Sequence, residues 1–502
     1  MSFEEKLGKL RANYAENNLL NGISALLGWD QQVYMPAGGA EQRGAQMAYI
    51  GGLAHEKATS PELGRLIDEL VAEVPNLEGD EDLAREIKQA KRNFDKSTKI
   101  PKDKLMEFIR VTTIAHEIWA KAKHENNFAA FSPHLEHIVL MTKELASYFA
   151  PYDHPYDALL DMYEPGMKTA EVRAIFDALR PRQVELIRRI AEKPQVDDSF
   201  AHSEFDIEAQ KKLGNYIATL QGYDWNRGRL DETVHPFTTN FGLDDVRITT
   251  KYIRDYPLSA LFSTMHEVGH ALYEQGLNRD FANTSLGGTD SMAVHESNSR
   301  LWENIVGRSK EFWKFLYPVT QALFPGNLGN VTTEQFYRGI NKISPSFIRT
   351  EADEATYNLH IMLRLELELG LIEDKFAVKD LPELWMSKMQ DYLGVTPPSD
   401  TLGVLQDVHW SGGMIGYFPT YALGNLIAAQ WWDKMLVDQP NIPDEMAAGK
   451  LGSVLSWLRE NVHRYSSRYT SQELVRKVTG EGINPDHYMN YLTKKYTEIY
   501  DL

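Results

Sequence analysis

The chain has no cysteine. That excludes disulfides, thiolate metal sites and a cysteine nucleophile, so any transition metal must be held by histidine and carboxylate. No run of about 18 apolar residues occurs, so nothing here is expected to span a bilayer. The opening stretch, MSFEEKLGKLRANYAENN, is charged and amphipathic and lacks the apolar centre of a secretory signal, so a cytoplasmic protein is the expectation. Positive charge is in deficit: 53 Lys and Arg stand against 71 Asp and Glu, a net −18. A surface of that sign repels phosphate backbones and argues against a nucleic-acid partner. Repeats and low-complexity linkers are missing too.

What is present reads mostly as helix. Hydrophobic residues make up 43% of the 502, enough for a large core. In SPELGRLIDELVAEV, Ser60 can cap a helix, Pro61 suits its first position, and Leu63, Leu66, Ile67, Leu70 and Val71 fall at helical spacing. Similar patterns cover 80–94, 102–123, 133–149, 168–192 and 203–220, then 333–343, 351–369, 381–393, 424–436 and 452–462, with more helix from 471 to 502. His235–Tyr252 differs. Its Thr, Phe, Val and Ile content around a Gly and an Asp pair predicts a short β-ribbon. The stretches HPYDALLDMYEPGM (154–167) and VYMPAGGAEQRG (33–44) read as loops, neither polar enough to mark a domain boundary. A single helical body over 1–502, divisible into two lobes, is the expected architecture.

Chemistry concentrates in STMHEVGHALYEQG, residues 263–276. On a helix, residues four apart share a face, so His266 and His270 point the same way and can reach one zinc. Glu267 projects to the side, where it can act as a general base without taking a coordination position. The dipeptide His-Glu occurs at His55, His116, His124, His266 and His295, and only the fourth has a histidine four residues on. Gly269, in mid-helix, implies that something approaches closely, and Gly276 is placed to end the helix. A zinc site needs a third protein ligand. Ser291 can cap a second helix carrying Glu296, and the turn residues of NRDFANTSLGGTD allow that helix to fold back antiparallel. The bland reading of Glu296 is a solvated glutamate paired with Arg300 at i+4. His295 points elsewhere, as a partner of a ligand or a packing residue. His134 and His137 mark an ordinary helix start.

At this point the chain resembles a known family. HEVGH, HESNSR, IRTEADE (Ile348–Glu354) and GVLQDVHW (Gly403–Trp410) are similar to the motif series of the M32 metallocarboxypeptidases, the thermostable carboxypeptidase Taq family. HPF (235–237), DVRIT (245–249) and WDQQVYMPAGGAEQR near the start match it as well. Asn298 departs from the Gln or Gly common in the family and puts no expected ligand in doubt. The resemblance implies a mostly α, saddle-shaped body with a deep active-site groove, similar in architecture to neurolysin and angiotensin-converting enzyme. It also implies a homodimer that removes single C-terminal residues with broad specificity, poor only towards proline.

Peptide hydrolysis at such a site needs a metal, a base, an oxyanion donor and an anchor for the substrate carboxylate. His266, His270 and Glu296 are the expected ligands of Zn2+, with Co2+ or Mn2+ also compatible. Glu267 is the expected base. HWSGGMIGYFPTYALGN offers His409, Tyr417 and Tyr421 on a glycine-rich loop, and related helical zinc peptidases favour Tyr421 with His409. For the anchor, Arg349 matches the family motif and is preferred to Arg247 on the ribbon; its bland reading is pairing with Glu351, Asp353 or Glu354. His235 can line the same groove, although Pro236 suits it to a turn. Glu351, Asp353 and Asp407 fit either as partners orienting zinc histidines or as ordinary acidic helix starts. Two other readings compete: an endo-oligopeptidase of short peptides, and a catalytically inactive helical binding protein. A base retained beside an open coordination position argues against the latter.

Overall fold

The computed structural model describes residues 1–502. Helices dominate, and they begin where capping chemistry allows. The Ser60 side chain accepts from Leu63 N with Pro61 at the first position, and the Ser291 side chain accepts from Val294 N. Most predicted helices are present with their ends shifted. The helix expected over 133–149 starts at Phe128 and carries Pro133 inside its second turn, where the ring has no N–H to donate to the carbonyl four residues back. The helix expected from Glu351 is a 3-10 turn at Arg349–Glu351 followed by helix Tyr357–Ile372. The stretch read as a loop at 154–167 contains a helix, Pro155–Leu160, started by His154, whose Nδ1 accepts from Tyr156 N. Likewise Ala40–Ala58 is helical, and none of its residues is buried.

The ribbon is there, with one strand more than predicted. Strand β1 (Leu230–Glu232) pairs parallel with β3 (Val246–Thr250), and β2 (Thr238–Asn240) pairs antiparallel with it on the other edge. Register places Thr238 opposite Ile248 and Thr239 opposite Arg247. Because side chains alternate along a strand, Thr238 and Arg247 leave opposite faces of the sheet.

The main core of 103 apolar side chains runs from Val111 to Tyr500. A satellite of eight, from Leu7 to Ala90, joins helices Phe3–Val33, Pro61–Glu73 and Asp82–Lys99 separately.

Three helices position the site: the histidine helix (Pro257–Gln275), the glutamate helix (Met292–Arg300) and the tyrosine helix (Pro419–Asp438). The glutamate helix lies between the other two, and a glycine faces it from each side. A Cβ on Gly269 would fall 2.6 Å from Ser299 Cα and 2.8 Å from Asn298 O. One on Gly424 would fall 2.7 Å from both Cβ and Cγ of Glu296. Both contacts are far inside van der Waals distance, so only hydrogen fits at either position. Gly276 caps the C-terminal end of the histidine helix, as its place in the sequence predicts. Its φ of −97° is right-handed, and its missing side chain makes room for His463, whose Nδ1 would be 2.5 Å from a Cβ.

Gly269→Ala should therefore destabilise the protein. The clash falls on backbone atoms that cannot move aside, at a cost towards the upper end of the roughly 1–3 kcal/mol of overpacking. That exceeds the roughly 1 kcal/mol of helix propensity gained. Gly8→Ala, with nothing within 4 Å of its Cβ, should show the gain alone. Urea unfolding of both variants checks the contrast.

Candidate active site

The spacing in HEVGH delivers both imidazoles to one face of the histidine helix, their ring centroids 4.8 Å apart. The glutamate helix brings Glu296 against them: its Oε2 lies 3.7 Å from His266 Nε2 and 3.5 Å from His270 Nε2. One donor atom from each residue lies within 4.8 Å of the other two. A tetrahedral cation with bonds of about 2.0–2.1 Å needs donors about 3.3–3.4 Å apart, so the three residues fit such an ion.

Every ligand candidate is also held from behind. His266 Nδ1 meets Glu303 Oε2 at 2.8 Å. His270 Nδ1 meets His295 Nδ1 at 2.6 Å, and His295 Nε2 continues to Glu274 Oε1 at 2.9 Å. Arg300 donates from Nε to Glu296 Oε1 at 2.6 Å and from Nη1 to Glu303 Oε2 at 3.1 Å, with its guanidinium 4.4 Å from the Tyr357 ring centre. Arg300 leaves Glu296 one oxygen, Oε2, to offer forward. The i+4 pair and the convergent carboxylate, posed as alternatives on sequence grounds, coexist. Glu303 reaches His266 because a π-helical turn, Leu301–Val306, follows the glutamate helix.

These contacts set the charges. Burial pushes His270 down to about 3, with the adjacent His295 acting the same way, so its nitrogen lone pair is available for a cation. For His266 burial works downward but Glu296 and Glu303 outweigh it and raise it; a cation held by this histidine would compete with that proton. Glu303, although buried, is held down to about 2 by Arg300 and His266. Glu267 is raised by burial, and its Oε2 accepts from the Thr238 hydroxyl at 2.6 Å. A carboxylate so placed, aligned by one donor and raised in basicity, can take a proton from water.

A second wall comes from the glycine-rich loop and the tyrosine helix. Gly424 abuts Glu296, and Tyr421 sits one turn earlier on the same face. The Tyr421 hydroxyl is 3.4 Å from His409 Nε2, and the Tyr417 ring packs 5.2 Å from the Tyr421 ring. Burial pushes His409 down to about 4, so it is neutral at neutral pH. Arg349 is buried beside this wall, its guanidinium carbon 4.9 Å from the Tyr421 ring centre. Its partners are Asp407 Oδ1 at 3.0 Å from Nε and the Tyr357 hydroxyl at 2.9 Å from Nη1, not Glu351, Asp353 or Glu354, and Nη2 makes no hydrogen bond within the protein. Arg364 next to it is fully committed, to Asp407, the His360 carbonyl and Gln406.

The remaining sequence candidates lie elsewhere. Arg247 is clasped by Asp245 through Nε and Nη2, and its guanidinium carbon lies 4.4 Å from the Trp29 ring centre, on the sheet face opposite Thr238. His235 is exposed on the approach to β2. Asp353 caps its own turn, accepting from Ala355 N and Thr356 N. Asp407 orients arginines rather than a zinc histidine. Sequence reasoning missed Thr238, Glu303, Tyr357 and Glu274. Only Glu303 left a signal, seven residues from Glu296, about two helical turns on.

Two histidines and a glutamate on a cation-sized triangle, with another carboxylate alongside, define a metal-dependent hydrolase on a helical scaffold. The sequence profile of the Carboxypeptidase Taq (M32) metallopeptidase family matches residues 9–496, and the chain belongs to that family of metallocarboxypeptidases. It is similar to thermostable carboxypeptidase 1 of Thermus thermophilus, 39% identical over 495 residues and 97% of each chain. It is also 39% identical to carboxypeptidase 1 of Bacillus subtilis over 477 residues, 95% of each chain. The crystal structure of an M32 carboxypeptidase from Deinococcus radiodurans R1 superposes with a TM-score of 0.96 at 39% identity, over 99% of this chain and 100% of that one.

Asp407 carries the acid sensitivity of the second wall. It is buried, which alone would raise it, but Arg364 and Arg349 hold it well below its ordinary 3.8. Its stabilisation is therefore complete above that value and lost as pH falls below it towards the depressed one. Asp407→Asn should cost about 3–5 kcal/mol at pH 7 by leaving buried arginines unpaired. Denaturant titrations from pH 7 to 3 should show the gap from wild type closing at the acid end.

Proposed function

We propose that this protein is a zinc-dependent carboxypeptidase that releases single C-terminal amino acids from peptides with broad specificity. The observation that carries the reading is Arg349. A buried guanidinium with one free nitrogen stands beside the tyrosine wall that abuts Glu296. Such a group recognises a terminal carboxylate, which an internal cleavage site does not have.

In this reading His266, His270 and Glu296 hold the cation and Glu267 is the base. A divalent cation there polarises the scissile carbonyl and makes water a stronger acid; zinc suits three such ligands and an open fourth position, while Co2+ and Mn2+ also bind this donor set. Thr238 steers Glu267 Oε2, which takes a proton from the attacking water and then passes it to the leaving amine. The Tyr421 phenol, held protonated by burial, and neutral His409 donate to the oxyanion. Tyr417 lines the same wall, and Arg349 Nη2 takes the terminal carboxylate. Arg247 and His235 remain secondary binding candidates at the sheet and its approach. The reading includes one catalytic domain over 1–502 with two lobes flanking a neurolysin-like groove, a homodimer, and a cytoplasmic location. Family membership supports these, and light scattering at twice the chain mass tests the dimer.

Glu267→Gln should retain its metal by elemental analysis while kcat falls by about 10²–10⁴-fold. A chelator should abolish turnover in the wild type, and added Zn2+ should restore it.

Mass spectrometry of a peptide mixture should show ladders shortened one C-terminal residue at a time. C-terminal amidation should stop them. Arg349→Met should lower kcat/KM about 10–100-fold on free-acid peptides, the loss of one charged hydrogen bond of roughly 1.5–3 kcal/mol. Equal cleavage of amidated and free peptides would instead identify an endo-oligopeptidase.

A further inference from the structure

Helix Tyr357–Ile372 lies under the loop that carries His409, and a stripe of its polar side chains grips the segment from Gln406 onward. Arg364 donates from Nε to Asp407 Oδ2 at 2.6 Å and from Nη2 to Gln406 Oε1 at 2.8 Å. One turn later comes Glu368, 0% exposed. Its Oε1 accepts from the Trp410 indole Nε1 at 2.8 Å, and its Oε2 accepts from Gly416 N at 3.1 Å and from the Tyr156 hydroxyl at 2.6 Å.

The two loop anchors are chosen with care. Trp410 follows His409, and Gly416 precedes Tyr417. Between them the backbone has little stiffness of its own: Gly412 and Gly413 are adjacent, and Gly413 and Gly416 adopt positive φ of 71° and 99°. Gly416 is also pressed against the chain, since a Cβ there would fall 2.7 Å from the Leu159 carbonyl carbon. One carboxylate thus closes the loop at both ends and ties it to helix Pro155–Leu160 through Tyr156.

Stability alone does not account for an acid in this place. Burial pushes Glu368 up to about 7, against the opposing pull of Tyr156, Trp410 and Gly416; Arg364 and Tyr163 are the other titratable groups that face it. An acid raised in this way lowers stability progressively as pH rises from its ordinary 4.5 through its folded value. A neutral side chain would be cheaper. We propose that Glu368 is a positioning residue for the catalytic site, one buried carboxylate that sets the seats of His409 and Tyr417 by holding the residue beside each. The proposal rests on the catalytic roles given above to His409 and its tyrosine neighbours.

Glu368→Gln in the full-length, metal-loaded enzyme tests it. An amide has one acceptor oxygen in place of two, so one anchor is lost. Metal content should not change. On a blocked dipeptide kcat should fall about 10–100-fold, the effect of a misplaced catalytic group, with KM within about threefold of wild type. At pH 8, where the wild-type carboxylate is largely ionised, the Trp410 Nε1–H resonance should move upfield as its charged acceptor disappears. Should Glu368→Gln fail to fold, Trp410→Phe withdraws one anchor from the loop side and should give the same kcat loss. Tyr156→Phe, which spares both loop anchors, should stay within about twofold of wild type. Wild-type kcat in a folded, metal-loaded Glu368→Gln or Trp410→Phe enzyme, with His409→Ala impaired, overturns the positioning role alone. An equal fall in Tyr156→Phe overturns it as well, by placing the effect in general packing. Wild-type kcat in His409→Ala instead removes the reading on which the proposal stands.

Discussion

The close approach of three helices at Glu296 is the constraint on which the site depends. Gly269 and Gly424 face the glutamate helix from opposite sides, each at a distance that admits no side chain. Interaxial spacing between helices is set by the side chains at the contact, so two glycines bring the histidine and tyrosine helices as near as backbones allow. That closeness puts Glu296 Oε2 within 3.7 Å of both imidazole nitrogens. It also brings Tyr421, one turn before Gly424, to the same edge. Wider helix spacing would draw the carboxylate away from the histidines.

Around this contact the polar groups are arranged so that none has a choice. Each of the three ligand candidates has one atom facing the others and another tied behind, to Glu303, to His295 and Glu274, or to Arg300. A similar scheme holds the second wall, where Asp407 divides its oxygens between Arg349 and Arg364. Arg364 is used up by its partners, whereas Arg349 keeps a nitrogen free. Two neighbouring arginines of like burial therefore have different chemistry open to them, and their hydrogen bonds decide which.

Much of the site was legible in the amino-acid order because it is local. His266, Glu267 and His270 follow from helical geometry alone, and Gly269 signalled the close approach that Ser299 and Asn298 make. Glu296 was reached through its cap at Ser291 and the turn before it. What remained hidden depends on long-range packing. Thr238 acts on Glu267 from a strand 29 positions away. Arg349 is partnered by Asp407, 58 positions on, rather than by the acids next to it. Glu303 left only its spacing from Glu296 as a signal, and the π-helical turn that carries it to His266 shifts the register that α-helical counting assumes. Glycine carries two meanings that sequence does not separate: Gly276 ends the histidine helix and also makes room for His463.

The satellite cluster of eight side chains gives the N-terminal helices an energetic life of their own. Leu7, Leu10, Leu63, Leu66, Ile67, Leu70, Ile87 and Ala90 bury one another and not the main core. Helix Ala40–Ala58, packed on the first helix of this unit, has no fully buried residue. A segment with so little shared core should open before the molecule as a whole unfolds. Amide protons there should exchange sooner than those of the histidine helix, which sits in the main core.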